Sequence, residues 1–172
     1  QPIHNVSVVG QVNGTLFRKV DWSASGNFMV YGYNIGDFNI DGRFDYSIKQ
    51  SVFSAFLNYY LFRPDFITDT YRSNHFVWDN SWVQSQHLKT GLVYEQKRLR
   101  FKGSFSYHLL DKLVVFGSDR LPFQTNAVNQ LLVVRLQEHF KMRWFHVTID
   151  GALQWKMTGD DIRIPLALGR GS

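Results

Sequence analysis

From Phe38 to Ile48 the chain alternates without a break. Phe38, Ile40, Gly42, Phe44, Tyr46 and Ile48 fall on one parity, and Asn39, Asp41, Arg43, Asp45 and Ser47 on the other. Side chains alternate across a β-strand, so this segment is a two-faced ribbon, apolar on one side and charged on the other. The pattern returns where Leu99, Phe101, Gly103, Phe105, Tyr107 and Leu109 alternate with Arg98, Arg100, Lys102, Ser104, Ser106 and His108. It returns again where Phe145, Val147, Ile149, Gly151, Leu153, Trp155 and Met157 alternate with His146, Thr148, Asp150, Ala152, Gln154 and Lys156. Each run is eleven residues or longer. A mean globular strand has about 5–6 residues, whereas a tilted strand that crosses a bilayer needs about 9–11.

Turn signals divide the chain into about eight such strands, over 4–17, 20–34, 38–48, 51–62, 82–94, 99–109, 128–140 and 145–158. The fourth carries aromatics on both parities, which leaves its register ambiguous. Between them lie two long loops, 63–80 with Pro64 and 111–126 with Pro122 and a short apolar piece at 113–116. Short turns mixed with long loops are the connectivity of an up-and-down membrane barrel. The predicted fold is therefore all-β: one antiparallel transmembrane β-barrel domain, or a segment of a larger barrel, covering 1–172.

Parity alone does not say which face points inward. Eight strands with five or more apolar positions each would overfill the lumen of a small barrel. The opposite assignment lets Asp41, Arg43, Asp45, Arg98, Arg100, Lys102, Asp150 and Lys156 line a wet interior while the apolar rows meet lipid. The competing reading is a soluble ligand-binding β-barrel with an apolar cavity. Seven glycines on the apolar parity (Gly10, Gly14, Gly26, Gly32, Gly42, Gly103 and Gly151) suit a curved wall that does not need jigsaw packing.

The mean hydropathy of -0.23 and the lack of any run of 18 apolar residues exclude a transmembrane helix. They are compatible with barrel strands, whose two faces average out. Cations and carboxylates share the same strands within a net charge of +5, which argues against a nucleic-acid partner. Cysteine is absent, and the six histidines show no metal-ligand spacing, so neither a metal nor another cofactor is expected. No nucleophile elbow, phosphate-binding glycine loop or triad order is present, so no enzymatic activity is expected. The adjacent Asp160 and Asp161 read as a turn, because alternation would send their carboxylates to opposite faces.

Tyr71-Arg-Ser-Asn-His-Phe-Val-Trp-Asp-Asn80 resembles the Y-x-S-N-H-F-x-W-x-N motif of the putative porin family of Bacteroidetes outer membranes. Gly32 to Phe44 resembles that family's G-Y-N-x-G-D-[FY] hairpin, and Asp161-Ile-Arg-Ile-Pro165 resembles its D-x-[IV]-R-[LI]-P element. The three landmarks follow the family's order from about residue 20 to 165. The resemblance implies a bacterial outer-membrane barrel that passes small solutes by diffusion, with membrane lipid as its surroundings. It also implies that this chain is a portion of a larger wall, since family members are several times longer. Gln1 opens into strand-like sequence with no leader, as expected of a mature product, a fragment or a protein that is never exported. The motif residues Tyr71, Ser73, Asn74, His75, Phe76, Trp78 and Asn80 would shape the pore mouth, or form a loop stapled by hydrogen bonds. A scaffold whose long loops bind other outer-membrane proteins is the alternative role.

Overall fold

A computed structural model describes residues 4–141, 143–159 and 164–171. In chain order the elements are β1 (Asn5–Leu16), β2 (Val20–Gly32), β3 (Phe38–Ile48), β4 (Ser51–Phe62), α1 (Phe66–Asp69), β5 (Thr70–Arg72) and β6 (Val77–Asp79). They continue with β7 (Ser85–Gln96), β8 (Phe101–Asp111), β9 (Val114–Phe116), β10 (Pro122–Gln124), β11 (Asn129–Lys141), β12 (His146–Thr158) and β13 (Ala167–Gly171). Nine strands form one sheet in the order β1-β2-β3-β4-β7-β8-β11-β12-β13, every neighbour antiparallel. The two expected long loops each fold a small hairpin, β5 with β6 and β9 with β10.

The register carries each parity across the sheet as a row. Phe44 stands between Trp22 and Ala55, and Phe105 stands between Leu92 and Val134, with Leu153 next beyond Val134. On the other face Arg43 stands between Ser23 and Phe56, and Lys102 between Glu95 and Gln137.

Exposure tells which face is hollow. The large apolar residues Phe44, Phe105 and Leu153 are 52%, 46% and 45% exposed, whereas the small polar Ser54 and Ser106 of the opposite face are buried. Side chains converge on the concave side of a curled sheet and splay on the convex side, so the polar face is the concave one. Among the described residues Leu131 is the one buried hydrophobic side chain. Among the described residues no second apolar layer covers the sheet, and no helix is long and apolar enough to cross a membrane.

The connections differ at the two ends of the strands. At one end lie short turns, with residues 17–19, 49–50, 97–100 and 143–145. In the first, Lys19 donates its backbone N–H to Leu16 at 3.1 Å, and Phe17 and Arg18 both have positive φ (51° and 57°). That is the type I′ geometry, whose twist matches the strands it joins. The opposite end carries the 33–37 turn, α1 and both small hairpins. Gly32 opens that turn at φ +107°, where a Cβ would lie 2.0 Å from the His4 carbonyl oxygen.

Several expectations are revised. The sheet ends at β1 and β13 instead of closing into a ring among the described residues, and β13 is a ninth strand absent from the eight expected. Arg98 and Arg100 lie in the 97–100 turn instead of on the wall. Alternation of residue types runs through that segment, yet the backbone reverses there, with Arg100 at φ +55°. β7 starts at Ser85, three residues after Trp82, because the Trp82 indole is held by α1, donating to the Thr68 carbonyl at 2.9 Å.

Candidate functional site

The concave face is lined by three polar groups. On β3 and β4, Arg43 Nε donates to both carboxylate oxygens of Asp45, at 2.9 and 2.8 Å, and Arg43 Nη2 reaches Ser54 Oγ at 3.0 Å. The Ser54 hydroxyl donates in turn to Asp45. Asp41 accepts from Asn39 at 2.8 Å, from the Tyr60 hydroxyl at 3.0 Å and from Asn58. Three predicted lining residues thus sit in two neighbouring networks, Arg43 with Asp45 in one and Asp41 in the other.

Asp150 meets Arg135, whose Nε donates at 2.7 Å while Nη2 donates to the second carboxylate oxygen. This bidentate pair joins β11 to β12. Lys156 stands farther along β12, opposite Leu131 and exposed.

Between these groups is a cleft of about 440 Å³ that Lys89, Lys102 and Arg135 line together with Ser104, Ser106 and His108, and among the described residues no carboxylate side chain lines it. His87 Nε2 and His108 Nδ1 lie 3.1 Å apart with stacked rings, and His108 Nε2 lies 3.0 Å from Ser106 Oγ. One ring must donate to the other, which suits a polar ladder. Among the described residues no group of three or more potential ligands is arranged to hold a metal. Lys89, His87 and Arg135 were not predicted as lining. Their odd-numbered positions carry the signal, which Phe56, Leu131 and Val133 on the same face obscure.

The motif residues form the rim at the long-loop end. Tyr71 and Trp78 pair across the β5–β6 hairpin with rings stacked at 4.6 Å. The turn between them closes when Ser73 N–H donates to the Phe76 carbonyl at 2.9 Å and Phe76 N–H donates to Ser73 Oγ at 3.1 Å. Asn74 and His75 occupy its exposed tip. Trp78 Nε1 donates to the Ile67 carbonyl at 3.0 Å, and Asn80 N–H to the Asp69 carbonyl at 2.7 Å. The motif therefore ties its hairpin to α1 by hydrogen bonds.

The Gly32–Asp37 hairpin locks onto the same rim. The Tyr33 hydroxyl reaches the Asp69 carboxylate and lies 3.0 Å from the Pro64 carbonyl. Burial first, then the Asp69 carboxylate, push that hydroxyl well above the ordinary tyrosine value. Buried Asp37 accepts from Arg63 N–H, Gln84 and Asn34 at 2.8, 2.7 and 2.8 Å. Residues 161–163 of the third family-like element, and the Asp160-Asp161 pair, lie outside the described residues.

A nine-stranded antiparallel meander with apolar side chains on its convex face and ionic groups on its concave face defines the class: an all-β wall built inside out relative to a soluble sandwich. The chain belongs to the putative porin family, whose pattern it matches over residues 3–172. No curated protein and no solved structure matches it.

Proposed function

We propose that this chain forms the wall of an outer-membrane β-barrel through which small solutes diffuse. The observation that carries the reading is the orientation of the sheet: Phe44, Phe105 and Leu153 point away from the hollow that holds Arg43, Lys102 and Asp150. Hydrocarbon tails are the natural cover for such a convex face, and water for the concave one. Eight strands of 11 to 13 residues have the length to cross the hydrocarbon layer.

In lipid every backbone group needs a partner, so the edges β1 and β13 call for ring closure, with each other or through further strands of a larger barrel. Transport would follow pore width and the mixed lining of Arg, Lys, Asp and Glu, with weak ion preference. No catalytic step belongs to this reading. Stepwise conductance of the full-length protein in planar bilayers is the expected result, and a folded protein that opens no steps overturns it.

A second reading keeps the barrel as a scaffold. Its support is the rim, where Val77 and Phe116 stand exposed beside the Tyr71–Trp78 stack. Solute uptake unaltered by deletion of the gene, with another outer-membrane protein co-purifying, would favour it.

A further inference from the structure

The four short turns share one rim and one chemistry. Arg18 and Lys19 stand in the first, and Lys49 in the second. The third holds Lys97, Arg98 and Arg100, and the fourth Arg143; none of the four turns contains an Asp or Glu. All seven cations are exposed, and the ion pairs found among the described residues, Arg43–Asp45 and Arg135–Asp150, involve none of them. The carboxylates near this rim lie on the strands and not in the turns: Asp21 opposite Asp45, Glu95 opposite Lys102 and Glu138 opposite Phe101; Asp21 already accepts from Thr15 at 2.7 Å. At the opposite rim Arg63, Arg72, Lys112 and Arg120 are mixed with Asp65, Asp69, Asp79, Asp111 and Asp119. The molecule is therefore polarised from end to end.

Apolar side chains protrude from the same basic turns. Phe17 is 91% exposed, Leu99 63% and Trp144 86%. Arg143 lies over the Trp144 ring with its guanidinium carbon 5.6 Å from the ring centre, leaving the donor edge of the fork free. A cation beside a ring or an aliphatic tip is the side-chain pair that suits a headgroup boundary. The apolar part enters the acyl edge, and the charge stays with the phosphates. Successive turns are two strand spacings apart, roughly 10 Å, so the rim offers a row of cationic sites, of which Lys97 and Arg100 also line a cavity with Lys102 and Glu95. A row suits a layer of anions better than a single dissolved one.

We infer that the short-turn rim binds the phosphates of acidic phospholipid headgroups, in the leaflet that meets this end of the barrel. The inference rests on the membrane reading above. In barrels of this kind the short turns face the periplasm, so the leaflet concerned is the periplasmic one.

The test is urea unfolding of the full chain refolded into vesicles of phosphatidylcholine, with and without phosphatidylglycerol. The expected result is insertion in both, with a higher unfolding midpoint in the acidic vesicles that fades as salt is added. The triple variant Lys97→Gln, Arg98→Gln, Arg100→Gln should lose much of that shift. Arg72→Gln with Arg120→Gln, at the other rim, should keep it. Equal midpoints in the two lipids, or an undiminished shift in the triple variant, would overturn the inference. So would inorganic phosphate or a polyglutamate peptide reproducing the shift in neutral vesicles, which would point to a free anion or an acidic protein. A chain that inserts into neither vesicle defeats the membrane reading itself and this inference with it, an outcome recognised by the lack of any inserted protein in pure phosphatidylcholine.

Discussion

Gln84 donates its side-chain amide to the Asp37 carboxylate at 2.7 Å, binding the residue that precedes β7 to the residue that precedes β3. Arg63 and Asn34 donate to the same carboxylate, so three stretches of chain depend on one side chain. Asp37→Ala strands these donors in a buried place, a loss of about 1–3 kcal/mol. A lower urea midpoint and faster protease cleavage within 63–84 are the expected results, and an unchanged cleavage pattern would show that Asp37 is not the clasp.

Gly91 and Gly151 make opposite predictions. A Cβ on Gly91 would lie 2.3 Å from the Phe105 carbonyl oxygen and 2.9 Å from Phe56, whereas one on Gly151 meets nothing within 4 Å. Backbone cannot retreat as a flexible side chain can, so Gly91→Ala should destabilise by about 1–3 kcal/mol. Gly151→Ala should be close to neutral, and unfolding midpoints of the two variants measured side by side decide the matter.

The Tyr33 hydroxyl is held protonated by its surroundings, and its folded-state pKa lies above the unfolded value. Its contribution to stability is therefore complete below the ordinary tyrosine value of about 10 and declines as pH rises above it. The stability difference between the wild type and Tyr33→Phe should stay constant from pH 7 to about 9 and shrink at higher pH. A difference that grows with alkalinity would contradict this sign.

Phe105 and Ser104 are sequence neighbours on opposite faces of β8. In the proposed membrane wall a lysine at Phe105 would face lipid near mid-strand, at a cost of about 2–4 kcal/mol for a residue at the bilayer midplane. Ser104→Lys would face the hollow and should fold normally. Refolding into vesicles measures both, and equal effects would deny that the two faces have different solvents.

Lys89 and Lys102 line the cleft that also holds Arg135. Replacing both with Glu should move the reversal potential in a salt gradient toward cation preference, with stepwise conductance retained. An unmoved potential would place the cleft away from the ion path.

Much of this wall was legible in the sequence because a period of two is a local property. Phe38 to Ile48 and Ser51 to Phe62 coincide with β3 and β4 to the residue. Features decided by distant partners were not legible. Nothing between Ala167 and Gly171 alternates; that segment is a strand because β12 offers it an edge, from Ile149 to Leu153. Arg98 and Arg100 kept the wall's parity while their backbone turned, since alternation of residue types does not reveal where a chain reverses. The Asp150 partner, Arg135, lies fifteen residues away and required the register of β11 on β12. Tyr71 to Asn80 stood out as a motif, but its task of bonding to α1 needed coordinates.

With Leu131 as the one hydrophobic side chain buried among the described residues, this sheet holds almost no oil of its own. In the proposed membrane wall, the free energy that other proteins gain from collapse, about 25 cal/mol for each Å² hidden, would come from the surrounding lipid. During synthesis and transit the same ribbons, long, β-prone and greasy along one side, are ready to pair with any neighbouring copy. As part of such a wall, a chain built this way would need an escort until it reached a bilayer, and its native state would belong as much to that solvent as to its own contacts.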